Sequence, residues 1–106
     1  MASIGKNNRN VLYFAKDADE AVAVPASKVR FIHPESATVV AVYFAGDDNA
    51  AGSVNLTVTS GEAYNVIRAI ALALVGGKGL VTVADGVNSS FMHDGIEAVA
   101  AVTIAS

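Results

Sequence analysis

The segment from Glu62 to Val75 constrains the fold most, because it has helical periodicity and is apolar on nearly every side. One stripe at helical spacing comprises Ala63, Val66, Ile67, Ile70, Ala71 and Leu74. The opposite face comprises Tyr64, Asn65, Arg68, Ala69, Leu72 and Ala73, and only Arg68 there is charged. The first stripe can pack on a sheet of the same chain. The second leaves an apolar patch of the kind that usually marks an interaction site.

Local signals at both ends set the predicted bounds of this helix at 62–75. Thr59-Ser60-Gly61-Glu62 has the form of a capping box, in which a hydroxyl and a glutamate satisfy the first free amides. Gly76-Gly77 follows the apolar stripe, and glycine there supplies the left-handed conformation common at helix C-termini. The helix is therefore predicted to begin and end within this segment.

Short Val- and Ala-rich runs predict strands in the rest of the chain, at 11–15, 21–24, 28–33, 38–45, 53–59, 80–84 and 96–104. Strand 38–45 is apolar on both faces, so it is either central in a sheet or covered by a partner. With strand 53–59 it predicts a hairpin, whose loop 46–52 is rich in turn residues. Residues 85–95 are predicted to form a loop and an irregular connection.

Side chains along strand 28–33 alternate between apolar and polar types in a way that predicts one buried face and one solvent-exposed face. Strict alternation places Val29, Phe31 and His33 on one side of this strand. Lys28, Arg30 and Ile32 fall on the other side. Pro34 is then expected to end the strand.

The order β-β-β-β-β-α-β-β predicts an α+β fold, in which a small, mostly antiparallel sheet, barrel or sandwich of about seven strands packs against the helix. The length of 106 residues is typical of a single domain, 1–106. The first ten residues are polar, and a flexible N-terminal arm at 1–10 is one option for them.

Charge is sparse after residue 36, since nine of the 17 charged residues lie in 1–36 and eight in the remaining 70. The net charge of −3 argues against a nucleic-acid partner, which needs clustered Lys and Arg. The longest apolar run, 69–75, is far shorter than the ~20 residues of a membrane span. The N-terminal segment lacks the apolar core of a signal peptide, so cytoplasmic synthesis without export is expected.

Histidines are the first candidates for catalytic or metal-binding residues, and the chain has two, His33 and His93. Either could bind a metal if Asp94 or Glu35 converged on it, but their wide separation favours two unrelated polar residues. Ser89, Ser90, His93 and Asp94 include the residue types of a nucleophilic site. They lack the sharp strand-to-helix turn that positions a nucleophile, so a loop is the better interpretation. No cofactor is predicted.

Two loops resemble ion-binding motifs only in part. Asp47-Asp48-Asn49 followed by Gly52 lacks the alternating ligands and closing glutamate of a calcium loop, so an exposed hairpin tip is predicted. Gly76-Gly77-Lys78-Gly79 follows the helix, where the dipole repels anions, whereas phosphate loops precede a helix.

The block Leu56 to Val99 contains Leu-Thr-Val-Thr-Ser-Gly-Glu, the 62–75 helix, Leu-Val-Thr-Val-Ala-Asp-Gly-Val-Asn-Ser and Ile-Glu-Ala-Val. It resembles short uncharacterised proteins of marine bacteriophages and cyanophages. The resemblance implies a virion or phage-assembly setting, with other virion proteins as partners. It brings no known functional residues.

The sequence thus predicts a small oligomeric structural or interaction protein without catalytic activity. Its interface is predicted on the outer helix face, at Tyr64, Arg68 and Leu72, or on the second face of strand 38–45. A closed two-fold dimer is the simplest assembly. The alternative is a small-molecule binding module with its ligand between subunits, near Tyr64, Arg68 or the 85–95 loop. An enzyme using His33, His93 and Asp94 ranks third.

Overall fold

Eight strands and one α-helix make up residues 10–45, 51–76 and 79–104, which the computed structural model describes. The first five strands are β1 (Val11–Asp17), β2 (Glu20–Pro25), β3 (Val29–Ser36), β4 (Val39–Ala45) and β5 (Ala51–Val58). A 3-10 helix, Ala26–Lys28, connects β2 to β3. The helix α1 (Ala63–Leu74) follows, and then β6 (Leu80–Asp85), β7 (Ser90–Phe91) and β8 (Ile96–Ile104).

The strands form two four-stranded sheets in these parts of the chain. The first sheet has the order β2-β1-β6-β7 and the second the order β3-β4-β5-β8. Only β1 and β6 pair in parallel; the other neighbours are antiparallel. The predicted α+β fold with a mostly antiparallel sheet is confirmed, as two sheets rather than a closed barrel. The short β7 adds an eighth strand within the segment predicted to be a connection.

A single apolar core joins the two sheets through the helix. Val66 and Ile70 are fully buried on the inner side of α1. They belong to one cluster with Leu12 and Phe14 of the first sheet and with residues of the second, namely Val40, Val42, Val54 and Leu56. The helix contacts β1, β3 and β4. The apolar stripe therefore packs between the sheets as periodicity predicts, except that Ala71, which was predicted to belong to it, is exposed.

The predicted hairpin of β4 and β5 is confirmed, with continuous antiparallel pairing from Val39↔Thr57 to Ala45↔Ala51. β4 lies between β3 and β5, which is the central position that was one of the two predicted alternatives for this strand. A Cβ on Gly52 would overlap the ring of Phe44 on the paired strand, and glycine there gives this ring its space. Residues 46–50, most of the predicted exposed loop, lie outside the described residues.

The predicted capping box is wrong. Thr59 and Gly61 form a turn before the helix, closed by the Glu62 amide donating to the Thr59 carbonyl at 2.9 Å. Gly61 has φ +92°, a conformation that glycine adopts readily. This turn makes Glu62 the N-cap, without a side-chain capping bond. The Thr59 hydroxyl instead donates to Glu97 at 2.8 Å.

The C-terminal end of the helix is capped by a side chain distant in sequence. The Nδ2 group of Asn10 donates to the carbonyls of Ala73 and Leu74 at 3.2 and 3.0 Å. Its Oδ1 atom accepts from the Gly79 amide at 3.2 Å. Asn10 is only 1% exposed. It is the last residue of the segment predicted as a possible N-terminal arm, and residues 1–9 lie outside the described ones.

Two β-bulges in β3 overturn the strict alternation expected of this strand. Val29 pairs with Phe44 and Phe31 with Tyr43, so Arg30 is an extra residue between them. A second shift falls between Pro34 and Ser36. Because an extra residue reverses the facing of the residues after it, Val29 packs against the core while Phe31 is exposed.

Candidate functional site

The predicted interface residues form an exposed line along the outer side of α1. Tyr64 is 67% exposed and Leu72 is 62% exposed, with Arg68 exposed between them. The guanidinium carbon of Arg68 lies 5.9 Å from the centroid of the Tyr64 ring, within the range of a cation–π contact. Val75, 76% exposed, extends the line beyond the helix. The sequence identified this surface correctly; its role as an interface remains a prediction.

An apolar groove of about 370 Å³ lies beside this line. It is lined by Ala69, Leu72, Ala73, Gly76, Val81 and Met92. Small residues form much of its helical wall, while β6 and the segment after β7 supply Val81 and Met92. None of the six lining side chains is charged or can donate a hydrogen bond. The groove therefore suits an apolar side chain better than a polar ligand, whose orientation requires a few convergent polar groups.

A second cluster, here called the aromatic–carboxylate cluster, comprises Phe31, His33, Glu35 and Tyr43 on the outer face of β3 and β4. The Phe31 and Tyr43 rings stack at 4.7 Å between centroids, and His33 lies 5.8 Å from each. The Tyr43 hydroxyl donates a hydrogen bond to Oε2 of Glu35. The Nε2 atom of His33 lies 3.2 Å from the same oxygen.

The Glu35 carboxylate perturbs the titration of its neighbour in this cluster. The hydrogen bond that Glu35 accepts raises the pKa of Tyr43 above its ordinary value of 10.0. Desolvation and the negative charge of Glu35 act in the same direction, because both disfavour a phenolate.

Sequence reasoning did not identify this cluster as a site. It considered Glu35 as a possible metal ligand, His33 as a possible metal ligand or catalytic residue, and Tyr43 only as part of the apolar strand 38–45. The hairpin-like connection between β3 and β4 was the available signal, because pairing brings Phe31 opposite Tyr43. The bulge that contains Glu35 is not apparent in the sequence.

The other predicted polar residues lie in the loops around β7. His93 accepts a hydrogen bond from the Gly95 amide through Nδ1 at 2.8 Å, a local turn contact unrelated to His33. Ser89 lies in the preceding turn with φ +54°. Across the described ranges, no group of three or more His, Asp or Glu side chains is arranged to hold a metal.

The turn between β6 and β7 is organised by Asp85, whose carboxylate accepts from the Val87 and Asn88 amides at 2.9 and 3.2 Å. The Asn88 side chain donates to its other oxygen at 2.9 Å. This side-chain bond is the main cause of a lowered pKa of Asp85, opposed by desolvation and assisted by the two backbone bonds. Because all of these bonds are local, Asp85 has a structural role in the turn.

Comparison with known proteins adds no further constraint. No protein-family model, curated protein or solved structure matches the chain. No helix in the described ranges is long and apolar enough to cross a membrane. Gly77 and Lys78, from the glycine-rich segment after the helix, lie outside those ranges. Among the described residues, the outer face of α1 and the aromatic–carboxylate cluster are two candidate surfaces for a function.

Proposed function

We propose that this protein is a small structural or interaction protein that self-associates through the outer face of α1. The observation that supports the proposal is the exposed line Tyr64–Arg68–Leu72–Val75 beside an apolar groove. Large apolar side chains left in water along one side of a helix usually indicate an interaction site. A second copy is the proposed occupant, because homo-oligomers with two-fold symmetry are the commonest assemblies.

The geometry of the surface suits a two-fold axis near Leu72. Around such an axis, Leu72 of each copy enters the groove of the other, where Ala69, Ala73 and Gly76 leave room for it. Arg68 lies four residues from Leu72, about 6 Å along the helix at 1.5 Å per residue. Antiparallel helices centred on Leu72 therefore keep the two Arg68 charges about 12 Å apart. An axis at Arg68 would bring the like charges together.

The biological setting that we propose is a phage virion or its assembly, and its support is the resemblance of residues 56–99 to marine phage proteins. A self-associating chain fits a component used in many copies. In that setting the partners are copies of this chain and other virion proteins, and no cofactor is required.

The test is the assembly state of Leu72→Glu measured by light scattering after size exclusion. The wild type is expected to be a dimer at tens of micromolar and the variant a folded monomer, since its interface would bury an unpaired carboxylate. Val87→Glu is the matched control, because Val87 is 54% exposed in the turn at the other end of β6. It introduces the same charge and should remain dimeric.

A monomeric wild type, or two variants that behave alike, would contradict the proposal. The groove then supports the second candidate, a small-molecule binding module, because about 370 Å³ is within the range of ligand pockets. Met92, from the 85–95 segment, lines this groove as that alternative requires. A monomer that binds apolar fluorescent probes at the groove, and loses this binding in Leu72→Glu, would favour a binding module whose ligand site lies within one copy rather than between subunits.

A further inference from the structure

The aromatic–carboxylate cluster lies on an edge strand that is unsuited to strand addition. β3 is the outermost strand of the second sheet. Its two bulges interrupt the regular spacing of backbone groups, and Pro34 has no amide to donate. Bulges and prolines at an edge oppose pairing with another chain. Recognition at this edge must therefore rely on side chains.

Bulges commonly re-aim side chains at functional sites, and the cluster lies along the part of β3 that the two bulges bound. The first turns Phe31 to the outer face beside Tyr43, where Phe31 is 54% exposed. The second bulge lies at Glu35, whose carboxylate contacts both Tyr43 and His33. The first bulge and the regular alternation that follows it thus place an exposed acid beside three rings.

The cluster attracts positive charge for two reasons. The faces of aromatic rings are electronegative, so they favour a cation placed over them. The contacts of Glu35 with Tyr43 and His33 both use Oε2. Its Oε1 atom has no hydrogen bond with the described residues, which leaves this oxygen available to an external donor.

Cations of the described chain do not occupy the cluster. The cation–π contact found in the described ranges is that of Arg68 over Tyr64, on the helix. The ion pair that involves Lys in these ranges joins Lys16 to Glu20, in the first sheet. Arg30, although adjacent in sequence, makes neither kind of contact with the cluster among the described residues.

We propose that the aromatic–carboxylate cluster binds the guanidinium group of an arginine side chain on a partner protein. A planar guanidinium can stack on Phe31 and direct its N–H groups to Oε1 of Glu35 at the same time. A lysine ammonium cannot stack and presents no fixed fork, so it binds more weakly. This surface lies on the outer side of the second sheet, whereas α1 packs on the inner side, so it is independent of the self-association proposed above.

The experiment is an NMR titration of the full chain with acetyl-Gly-Arg-Gly-amide at mildly alkaline pH and low salt. Saturable shifts confined to Phe31, His33, Glu35 and Tyr43 are expected. The matching peptide with citrulline, a neutral isostere of arginine, should bind about tenfold more weakly, because it lacks the charge that strengthens hydrogen bonds to a carboxylate.

Variants separate charge from aromatic stacking in the same titration. Glu35→Gln should weaken arginine binding about tenfold, whereas Asp94→Asn, an equal charge change at another exposed acid, should have no effect. Phe31→Leu keeps an apolar side chain and should weaken binding about threefold through the loss of the cation–π contact.

Three results would overturn the proposal. The first is a linear, non-saturating response to the peptide, and the second is equal binding of the arginine and citrulline peptides. The third is shifts at the same residues that depend on protein concentration without peptide, which would identify a second copy as the occupant.

Discussion

At the scale of single residues, the cluster around Glu35 shows how one acid changes the chemistry of its neighbours. Its Oε2 atom accepts from the Tyr43 hydroxyl, and the negative charge favours the neutral phenol. Tyr43 therefore holds its proton to a higher pH in the folded protein than in the unfolded chain. The stability that this bond contributes is fully present below the unfolded pKa of 10.0 and is lost as the pH rises through the folded pKa.

We therefore expect Glu35→Gln to lower the pKa of Tyr43 back towards 10.0. The measurement is a pH titration of the Tyr43 ring carbon by NMR with labelled tyrosine. Glu97→Gln is the control, since Glu97 bonds to Thr59 rather than to a tyrosine, and it should leave the Tyr43 curve unchanged. A Tyr43 curve that is identical in the wild type and in Glu35→Gln would contradict the assigned hydrogen bond.

At the scale of elements, the helix is held at its two ends by different means. Its beginning depends on the turn at Gly61, which is local, and its end depends on Asn10, 63 residues away from Ala73 in sequence. Carbonyls in the last turn of a helix have no partner within the helix, so an external donor is required. Asn10 supplies this donor and joins β1, α1 and the start of β6.

We predict that Asn10→Ala costs about 1–3 kcal/mol of unfolding free energy, because it leaves buried polar groups without partners. Denaturation by urea measures this cost, and amide exchange at Gly79 should become faster, since the Gly79 amide donates to Asn10. Asn65→Ala is the control; it removes an exposed bond to Glu62 and should change stability by no more than about 0.5 kcal/mol. Equal effects of both substitutions would refute the capping role.

At the scale of the whole molecule, the two sheets unfold as one unit if they share one core. Ile70 is fully buried in the cluster that joins Leu12 of the first sheet to Leu56 of the second. The edge strand β8 adds a further link, because the Val102 amide donates to Glu20 of β2 at 3.0 Å. Neither sheet has a separate core among the described residues.

Ile70→Ala should therefore cost about 2–5 kcal/mol, the usual range for truncating a buried isoleucine. Circular dichroism and tyrosine fluorescence should report one coincident urea transition, at lower urea than in the wild type. Val87→Ala, an exposed truncation, should change stability by no more than about 0.5 kcal/mol. Two separate transitions would indicate that the sheets unfold independently.

The sequence alone determined the elements whose signals are local. Helical spacing of apolar residues identified α1 to within a residue at each end, and it separated the buried Val66 and Ile70 from the exposed Tyr64 and Leu72. Alternation and turn residues identified the β4–β5 hairpin. These patterns are reliable because residues at one spacing share one geometry, so the period identifies the element and groups the residues of each face.

Only the tertiary structure decided which distant groups meet. The pairing of β1 with β6, the cap that Asn10 provides and the division into two sheets all depend on contacts between separated segments. The bulges at Arg30 and Glu35 arise from pairing with β4, and a single extra residue reverses which side chains face outwards. Alternation grouped Phe31 with His33 in the sequence, but periodicity within one strand specifies neither which face is outward nor the register that brings Tyr43 beside them, so the aromatic–carboxylate cluster was not predicted.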